Sequence, residues 1–598
     1  MSIPSLKQTF RTYGDFARYL ESIGELHRSR VEVDPFLEVT EIASRSIREG
    51  RKALLFERVR GSQFPLVINC LASDRRCELA LGVHPREIGE ELIAFLGDIF
   101  PPRPRTVLRH ASLARRFLST PSRRSRGALS QQIVSKPDLD ALPILTCWPE
   151  DGGPFVTMPQ VVTYDVRTGK RNMGMYRMHV FDRETTGMHW QIQKGGGFHF
   201  AQAEKLNRVL EIAVAIGTDP ALLMATIAAL PENIDEAMFA GFLRGKRTPF
   251  VRARSLAIDV PADAEFILEG VVRPGERRLE GPFGDHFGHY SHAALFPVYH
   301  LTAMTRRRDA VYPATVVGVP PMEDKFLGDA TQQILSPLVR LLHSEITDMW
   351  AYYEAGFHNL LVVAVDQRYA KESMKTALGL MGMSQLSLTK CIILVSEGVN
   401  VRDIDAVMKE VRDRFDPHYD FVMIPKVPLD TLDFTSFEMN LGSKMILDAT
   451  RKERPKGAAR DASARAARDA RLLRSLDSRV LDANFVHETL LLVKVSGHGA
   501  AVLKNLVRRE ELQGLALIAA VSEDVDIRDR ENYLWGIFTR FDCERDILFS
   551  EQELLGISPV YKGVMGIDAT WKPGYPARLA MTEEVRKHVD ERWGSYWR

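Results

Sequence analysis

Apolar positions recur at a helical period near the start of the chain, give way to short alternating runs, and then return to a mixed pattern. Phe16, Tyr19, Leu20 and Ile23 fall three or four apart and predict an amphipathic helix. ALLFERV (Ala53–Val59) and PLVIN (Pro65–Asn69) are short apolar runs of the kind buried strands show, and EIGEELIAFLGDIF predicts another helix. Such alternation implies a small α/β domain. Pro101, Pro102 and Pro104 then break it, and an arginine-rich stretch follows through RRFLSTPSRRSRG. With few aromatics and no glycine repeat, that stretch reads as a solvated linker or an arm that contacts another protomer, not as an RNA-binding segment.

From Gln131 to Pro313 the runs are short and strand-like: QVVTYDV, MGMYRMHVF, MHWQIQ, SLAIDV, EFILEGVV and YHLTAMT. One helix is expected near Ala201–Ile216, and the whole suggests a barrel or sandwich. Beyond Pro313, HNLLVVAVD and KCIILVSEGV are the clearest strands, each near a helical segment, as in a parallel-sheet α/β domain. An internal repeat lies there. VSEGVNVRDIDAVMKEVRDRFDPHYD, from Val395, aligns without gaps on VSEDVDIRDRENYLWGIFTRFDCERD, from Val521, with ten of 26 positions identical. MILDAT at 445–450 is echoed by MGIDAT at 565–570. Between the copies runs KGAARDASARAARDARLLRS, a helix or a connector. The spacing indicates duplication and not a solenoid. The predicted segments are 1–125, 126–320, 321–455, and 456–598 as a linker with the second copy.

Composition narrows the class. A chain of 598 residues exceeds one hydrophobic core. A net charge of +1 argues against a dedicated nucleic-acid binder, which needs a basic face to displace counterions. No apolar run is long enough to cross a bilayer, and MSIPSLKQTFRTYGDF lacks the features of a secretory signal. Five scattered cysteines without CxxC spacing suggest reduced thiols in the cytoplasm and exclude a zinc ribbon or a disulfide framework.

Three segments carry candidate chemistry. In RRLEGPFGDHFGHYSH, Glu280 and Asp285 flank a Gly-Pro-Phe-Gly turn that lets the two carboxylates converge. Phe283 and Phe287 would desolvate Asp285 and raise its pKa toward general-acid behaviour; an acidic surface turn is the plain alternative. His286, His289 and His292 would share a face only on a helix, which the glycines oppose, so a zinc site is not expected. In KRNMGMYRMHVFDRETTGMHWQIQKGGGFHF, Arg177 can grip a carboxylate in bidentate fashion. Lys194 beside Gly195, Gly196 and Gly197 offers a cation and closely approachable amides. Met175, Tyr176 and Trp190 would suit a flat cofactor with a phosphate tail. In ATIAALPENIDEAMFAGFLRG, Glu232, Asp235 and Glu236 either complement a helix dipole or hold a hard divalent ion.

NMGMYRMHV, PENIDEAMFAGFLRG and EGPFGDHFGHYS, in this order, resemble the UbiD family of reversible decarboxylases. The likeness runs from YGDFARYLESIGELHRSRVEVDP to GSKMILDATRK. It implies an N-terminal α/β domain, a central split β-barrel of flavin-reductase type and a C-terminal α/β domain, here with an internal duplication. It also implies prenylated FMN supplied by a separate flavin prenyltransferase, with Mn2+ (or Mg2+) and potassium at its phosphate. Metal ligands would be Asn172, Glu236 and Gln193, the last where many relatives carry His. Met175, Tyr176, Arg177, His189, Trp190, Gln191, Lys194, Gly195 and Glu236 would contact the cofactor. Arg177, Glu280 and Asp285 would be catalytic: Arg177 orients the substrate carboxylate and stays paired with Glu280, and Asp285 delivers the proton. An aspartate at 285 fits members acting on aromatic acids. The expected activity is therefore reversible decarboxylation of an aromatic, hydroxylated acid, releasing CO2, by a homodimer or larger assembly with no membrane span. An ordinary FMN oxidoreductase and a non-catalytic subunit of a multi-component carboxylase are the rivals.

Overall fold

A computed structural model describes residues 9–98, 111–191, 194–228, 230, 234–436, 438, 441–452 and 467–598. The chain forms two compact units, Met1–Leu335 with Ala577–Arg598, and Ser336–Pro576.

The first unit opens with the predicted helix, Tyr13–Ser22, which buries Phe16, Ala17 and Leu20. Thr12 caps it, its hydroxyl accepting from the Asp15 amide and satisfying an otherwise unpaired first-turn donor. The strands Leu26–Ser29, Ala53–Phe56, Leu66–Ile68 and Tyr312–Ala314 form a four-stranded sheet in that order. The arginine-rich stretch contributes Arg123–Arg124, which pairs in parallel with Pro249–Arg252.

The central strands build one nine-stranded sheet. Its path runs Phe155–Val156, Met178–Asp182, Thr185–Gly187, Ala294–Arg306, Phe266–Glu280, Leu210–Ile216, Gln160–Tyr164 and Arg171–Met175, with Ile133–Ser135 beside Ala294–Arg306. Arg171–Met175 and Met178–Asp182 lie six strands apart on this path yet are joined by two residues. Six spacings of a flat sheet would be about 29 Å, whereas the link spans at most about 11 Å. The sheet must therefore curl until its ends face each other. No ladder closes the seam among the described residues, so the structure is mixed α/β with an open, curled sheet where a split barrel was expected. The link at the seam is Tyr176–Arg177.

Two local expectations are corrected. The helix expected to reach Ile216 ends at Lys205, and Leu210–Ile216 is a central strand. LEIAVAI is a continuous apolar run, almost wholly buried, which periodicity alone cannot assign. Of MHWQIQ, residues 188–191 do not continue the strand Thr185–Gly187, because the Trp190 amide turns back to the Met188 carbonyl, and 192 and 193 lie outside the described residues.

The second unit holds two sheets of identical order. Ile346–Ala351, Leu361–Val365, Cys391–Ser396, Gly442–Ala449 and Phe421–Val427 form one. Val480–Val486, Leu490–Val495, Leu517–Val521, Ser558–Ala569 and Ile547–Leu555 form the other. Each keeps three parallel strands in the middle and an antiparallel strand at either edge. The identities of the repeat have matching jobs. Asp403 and Asp529 cap the helices Ile404–Arg414 and Arg530–Phe538. Arg402 pairs with Asp348 at 2.6 Å and Arg528 with Asp482 at 2.5 Å, at the same place in each copy. Val395, Val407 and Val411 share one buried core with Val521, Ile537 and Phe538. Of the stretch between the copies, residues 456–466 lie outside the described residues, and its end enters the helix Ala470–Leu476.

Candidate active site

Arg171–Met175 is an edge strand, paired on one side only, so its outward amides are open to other partners. The Met173 amide donates to Glu236 Oε2 at 2.8 Å. Glu236 opens the helix Glu236–Arg244, whose cap Asp235 accepts from the Ala237 amide and pairs with Arg171 at 2.5 Å. Burial pushes the Glu236 carboxyl up to about 7, against the pull of the Met173 amide.

The three glycines after Lys194 start the helix Gly195–Lys205 and do not form a free loop. Crowding explains the first two. A Cβ on Gly195 would sit 2.0 Å from Asn172 Oδ1, and one on Gly196 would lie 2.8 Å from Trp190 Nε1 and 2.9 Å from the Tyr176 ring. The Gly196 amide donates to the Tyr176 hydroxyl at 3.1 Å. Asn172 Nδ2 and Trp190 Nε1 are buried without a hydrogen-bond partner among the described residues. Buried polar atoms left unsatisfied in this way point to a ligand that completes them. Two hard oxygen donors, Asn172 and Glu236, beside helix-terminal amides suit a divalent ion and a phosphate. The residues present therefore fit a metal-bound flavin phosphate. Gln193 and Glu232 lie outside the described residues.

One residue past Tyr176, Arg177 forms a fork between two carboxylates. Its Nε donates to Glu280 Oε1 at 2.9 Å, its Nη2 to Ser291 Oγ at 2.9 Å, and its Nη1 to Asp285 Oδ2. The guanidinium lies 4.7 Å over the Phe283 ring. His189 Nδ1 lies 3.0 Å from Glu280 Oε2 and its ring packs on Phe296. Burial raises Glu280, but the Arg177 charge and the His189 hydrogen bond outweigh it and bring the carboxyl down to about 2. The expectation for Asp285 is corrected. Burial does push it up, but the His286 hydrogen bond and the Arg177 charge hold it well below the usual carboxylate range. Asp285 is thus ionised in this arrangement, and the apolar flanks alone do not decide its state.

The turn bearing Asp285 is fixed from outside. The Asp285 amide donates to the His289 carbonyl at 3.1 Å and the Gly288 amide to the Asp285 carbonyl at 2.9 Å. Asp151 Oδ1 accepts from the Gly284 amide at 2.7 Å, while its Oδ2 accepts from the amides of Cys147 and Trp148. The Gly152 amide donates to the Pro282 carbonyl at 2.8 Å. Asp151, Ser291 and the role of His286 escaped sequence reasoning, although an acid followed by Gly-Gly in TCWPEDGG was a usable signal. His289 is buried, its Nδ1 3.0 Å from the Phe287 carbonyl, and no cluster of three potential metal ligands of the His, Cys, Asp or Glu type exists among the described residues. So the structure brings together Arg177, Glu280, Asp285 and His189 in one group and Asn172, Tyr176, Trp190, Gly195 and Glu236 in another, joined by the seam. Met175 is half-buried against the N-terminal core, and the Gln191 carbonyl accepts from the Lys194 amide at 3.1 Å.

Comparison with known proteins decides the lineage. Residues 17–96, 121–320, and 325–449 with 466–569 match the N-terminal, Rift-related and C-terminal domains described for 3-octaprenyl-4-hydroxybenzoate carboxy-lyase. The chain belongs to the UbiD family. It is a carboxy-lyase of that family. An uncharacterised protein of Archaeoglobus fulgidus is 44% identical over 466 residues, covering 78% of this chain and 96% of that protein. A 4-hydroxybenzoate decarboxylase component from Chlamydia pneumoniae is 34% identical over 569 residues, 94% of this chain and 95% of that one. Among solved structures, the UbiD-class enzyme HmfF of Pelotomaculum thermopropionicum in complex with FMN is 27% identical with a TM-score of 0.62, covering 74% of this chain and 95% of its own. An evolved dimeric form of HmfF, in complex with prFMN, is 27% identical with a TM-score of 0.61, covering 75% and 97%. The vanillic acid decarboxylase of Sedimentibacter hydroxybenzoicus, at 24% identity, TM-score 0.67 and 75% and 95% coverage, shares the fold.

Proposed function

We propose that this chain catalyses the reversible decarboxylation of an aromatic, hydroxylated carboxylic acid with prenylated FMN. The observation that carries the reading is the buried fork of Arg177 between Glu280 and Asp285, one residue from a cradle suited to a flavin phosphate. The names of the Chlamydia pneumoniae and HmfF relatives support the substrate class and cofactor. The curled central sheet would serve as the split barrel. Asn172 and Glu236, with Gln193, would hold Mn2+ (or Mg2+), potassium assisting. Tyr176, Trp190, Gln191, Lys194, Gly195, Met175 and His189 would frame the flavin. Five buried free cysteines favour a reducing cytoplasm, and self-association is expected.

When bound, the modified flavin supplies the electron sink that loss of CO2 requires. The chain's own residues do the rest. An incoming carboxylate competes with Asp285 for the Arg177 fork, while Glu280 and His189 keep the guanidinium aimed. Once released from Arg177, Asp285 keeps the His286 hydrogen bond but loses the guanidinium charge, so its burial weighs more heavily toward the protonated form. It takes a proton from His286 and delivers it to the ring carbon that has lost CO2; in the reverse direction it removes that proton. The test is to co-produce the chain with a flavin prenyltransferase, identify the bound flavin by mass spectrometry and assay CO2 release from 4-hydroxybenzoate and vanillate. Bound FMN that nicotinamide reduces, with no CO2 released, would instead make it an oxidoreductase.

A further inference from the structure

We infer that Ala577–Leu579, in the C-terminal tail, is a positioning clamp for the loop that carries Asp285; its catalytic consequence rests on the decarboxylase reading above. The family's C-terminal match ends at residue 569, before this segment. The tail forms a short antiparallel bridge with the loop, Arg578 opposite His289. The Tyr290 amide donates to the Ala577 carbonyl at 3.1 Å, and the Leu579 amide to the Gly288 carbonyl at 2.9 Å. Because Gly288 and His289 close the turn around Asp285, holding these residues fixes the height of that carboxylate. Backbone amides provide the grip, and one side chain wedges it. Leu579 is 3% exposed, and a Cβ on Gly284 would meet its Cδ2 at 2.9 Å and Trp148 at 2.1 Å.

The tail is in turn tied down beyond the clamp. Thr582 caps the helix Glu583–Arg592. Arg592 Nη1 and the Tyr596 hydroxyl both donate to Glu38 Oε1 at 2.5 Å, and Arg592 Nη2 donates to the Glu32 carbonyl at 2.8 Å. Glu38 itself is buried and accepts from the Asp34 amide with its other oxygen. A carboxylate with three donors is a firm post, since charge-assisted hydrogen bonds are the strong ones. The clamp's hydrogen bonds go to the loop backbone and not to the Arg177 fork, so it acts through the loop.

The experiment is hydrogen exchange of the peptide spanning 284–290 in the full-length flavin-loaded protein, together with kcat and KM for 4-hydroxybenzoate or vanillate. Leu579→Ala should speed that exchange about tenfold or more, lower kcat about tenfold and leave KM and flavin content within about twofold; Leu579→Met should restore both. Arg592→Gln, which loosens the post without touching the loop, should speed the same peptide to a smaller degree and serves if Leu579→Ala does not fold. Wild-type exchange at 284–290 in the folded variants would overturn the clamp. Faster exchange in a protein whose wild type releases no CO2 from any aromatic acid would uphold the clamp and reject the decarboxylase reading.

Discussion

His286 Nδ1 lies 2.7 Å from Asp285 Oδ1, on the carboxylate oxygen that Arg177 does not hold. The ring is partly exposed while the acid is buried, so the imidazole stands between solvent and the proposed proton donor. Its hydrogen bond and its charge both lower the Asp285 pKa. His286→Gln keeps a donor but removes the charge and the titrating proton. Asp285 should then hold its proton to higher pH, moving the basic limb of the kcat profile upward, while kcat falls by about 10²-fold for lack of a relay. A pH–rate series on the loaded enzyme reads both effects.

Asp285→Asn keeps the shape of the turn and removes the acid. Turnover should fall at least about 10³-fold with flavin content unchanged, because the cradle is built from other residues. Stoichiometry by absorbance beside a CO2 assay checks this, and unchanged turnover would remove Asp285 from its role.

The cradle makes a steric prediction. Gly195→Ala places a methyl where Asn172 Oδ1 stands, so the amide must move. Gly195→Ala, Asn172→Ala and Glu236→Ala should each cut bound flavin and the binding of added Mn2+ about tenfold or more, as measured on the purified protein, while thermal unfolding of the apoprotein changes little for Asn172→Ala.

Glu280 gives a pH dependence of stability. Its folded pKa, about 2, lies below the ordinary value of 4.5, so the gain is present above that ordinary value and disappears as pH falls toward about 2. That difference corresponds to about 3 kcal/mol. Glu280→Gln should be destabilised by up to that amount at neutral pH, and its denaturant midpoint should fall less steeply on acidification between about pH 4.5 and pH 2.

The outline of the fold was legible where local pattern and tertiary role coincide. The repeat identities Asp403 and Asp529 were visible because a helix cap is a sequence-local device, and Arg402 and Arg528 because both copies need the same ion pair. Leu210–Ile216 was misread because a fully buried strand has no polar alternation to reveal it. Arg177, Glu280 and Asp285 stand out through motif and chemistry, and the structure brings their side chains together. The direction of the Asp285 shift was not legible, because burial was visible in its phenylalanine neighbours whereas the hydrogen bond from the His286 ring and the approach of Arg177, more than a hundred residues away, were not. Asp151 and Leu579 act through backbone amides and carbonyls of distant residues and leave little trace in composition.

The central claim is most directly tested by the carbon dioxide balance of protein co-produced with a flavin prenyltransferase. With 4-hydroxybenzoate or vanillate, release of one CO2 per phenol formed, with one solvent deuteron taken up at the vacated ring carbon and loss of both in Asp285→Asn, is the predicted result. Protein carrying the modified flavin that releases no CO2 from any aromatic acid, or whose Asp285→Asn variant still incorporates the deuteron at the wild-type rate, would contradict it.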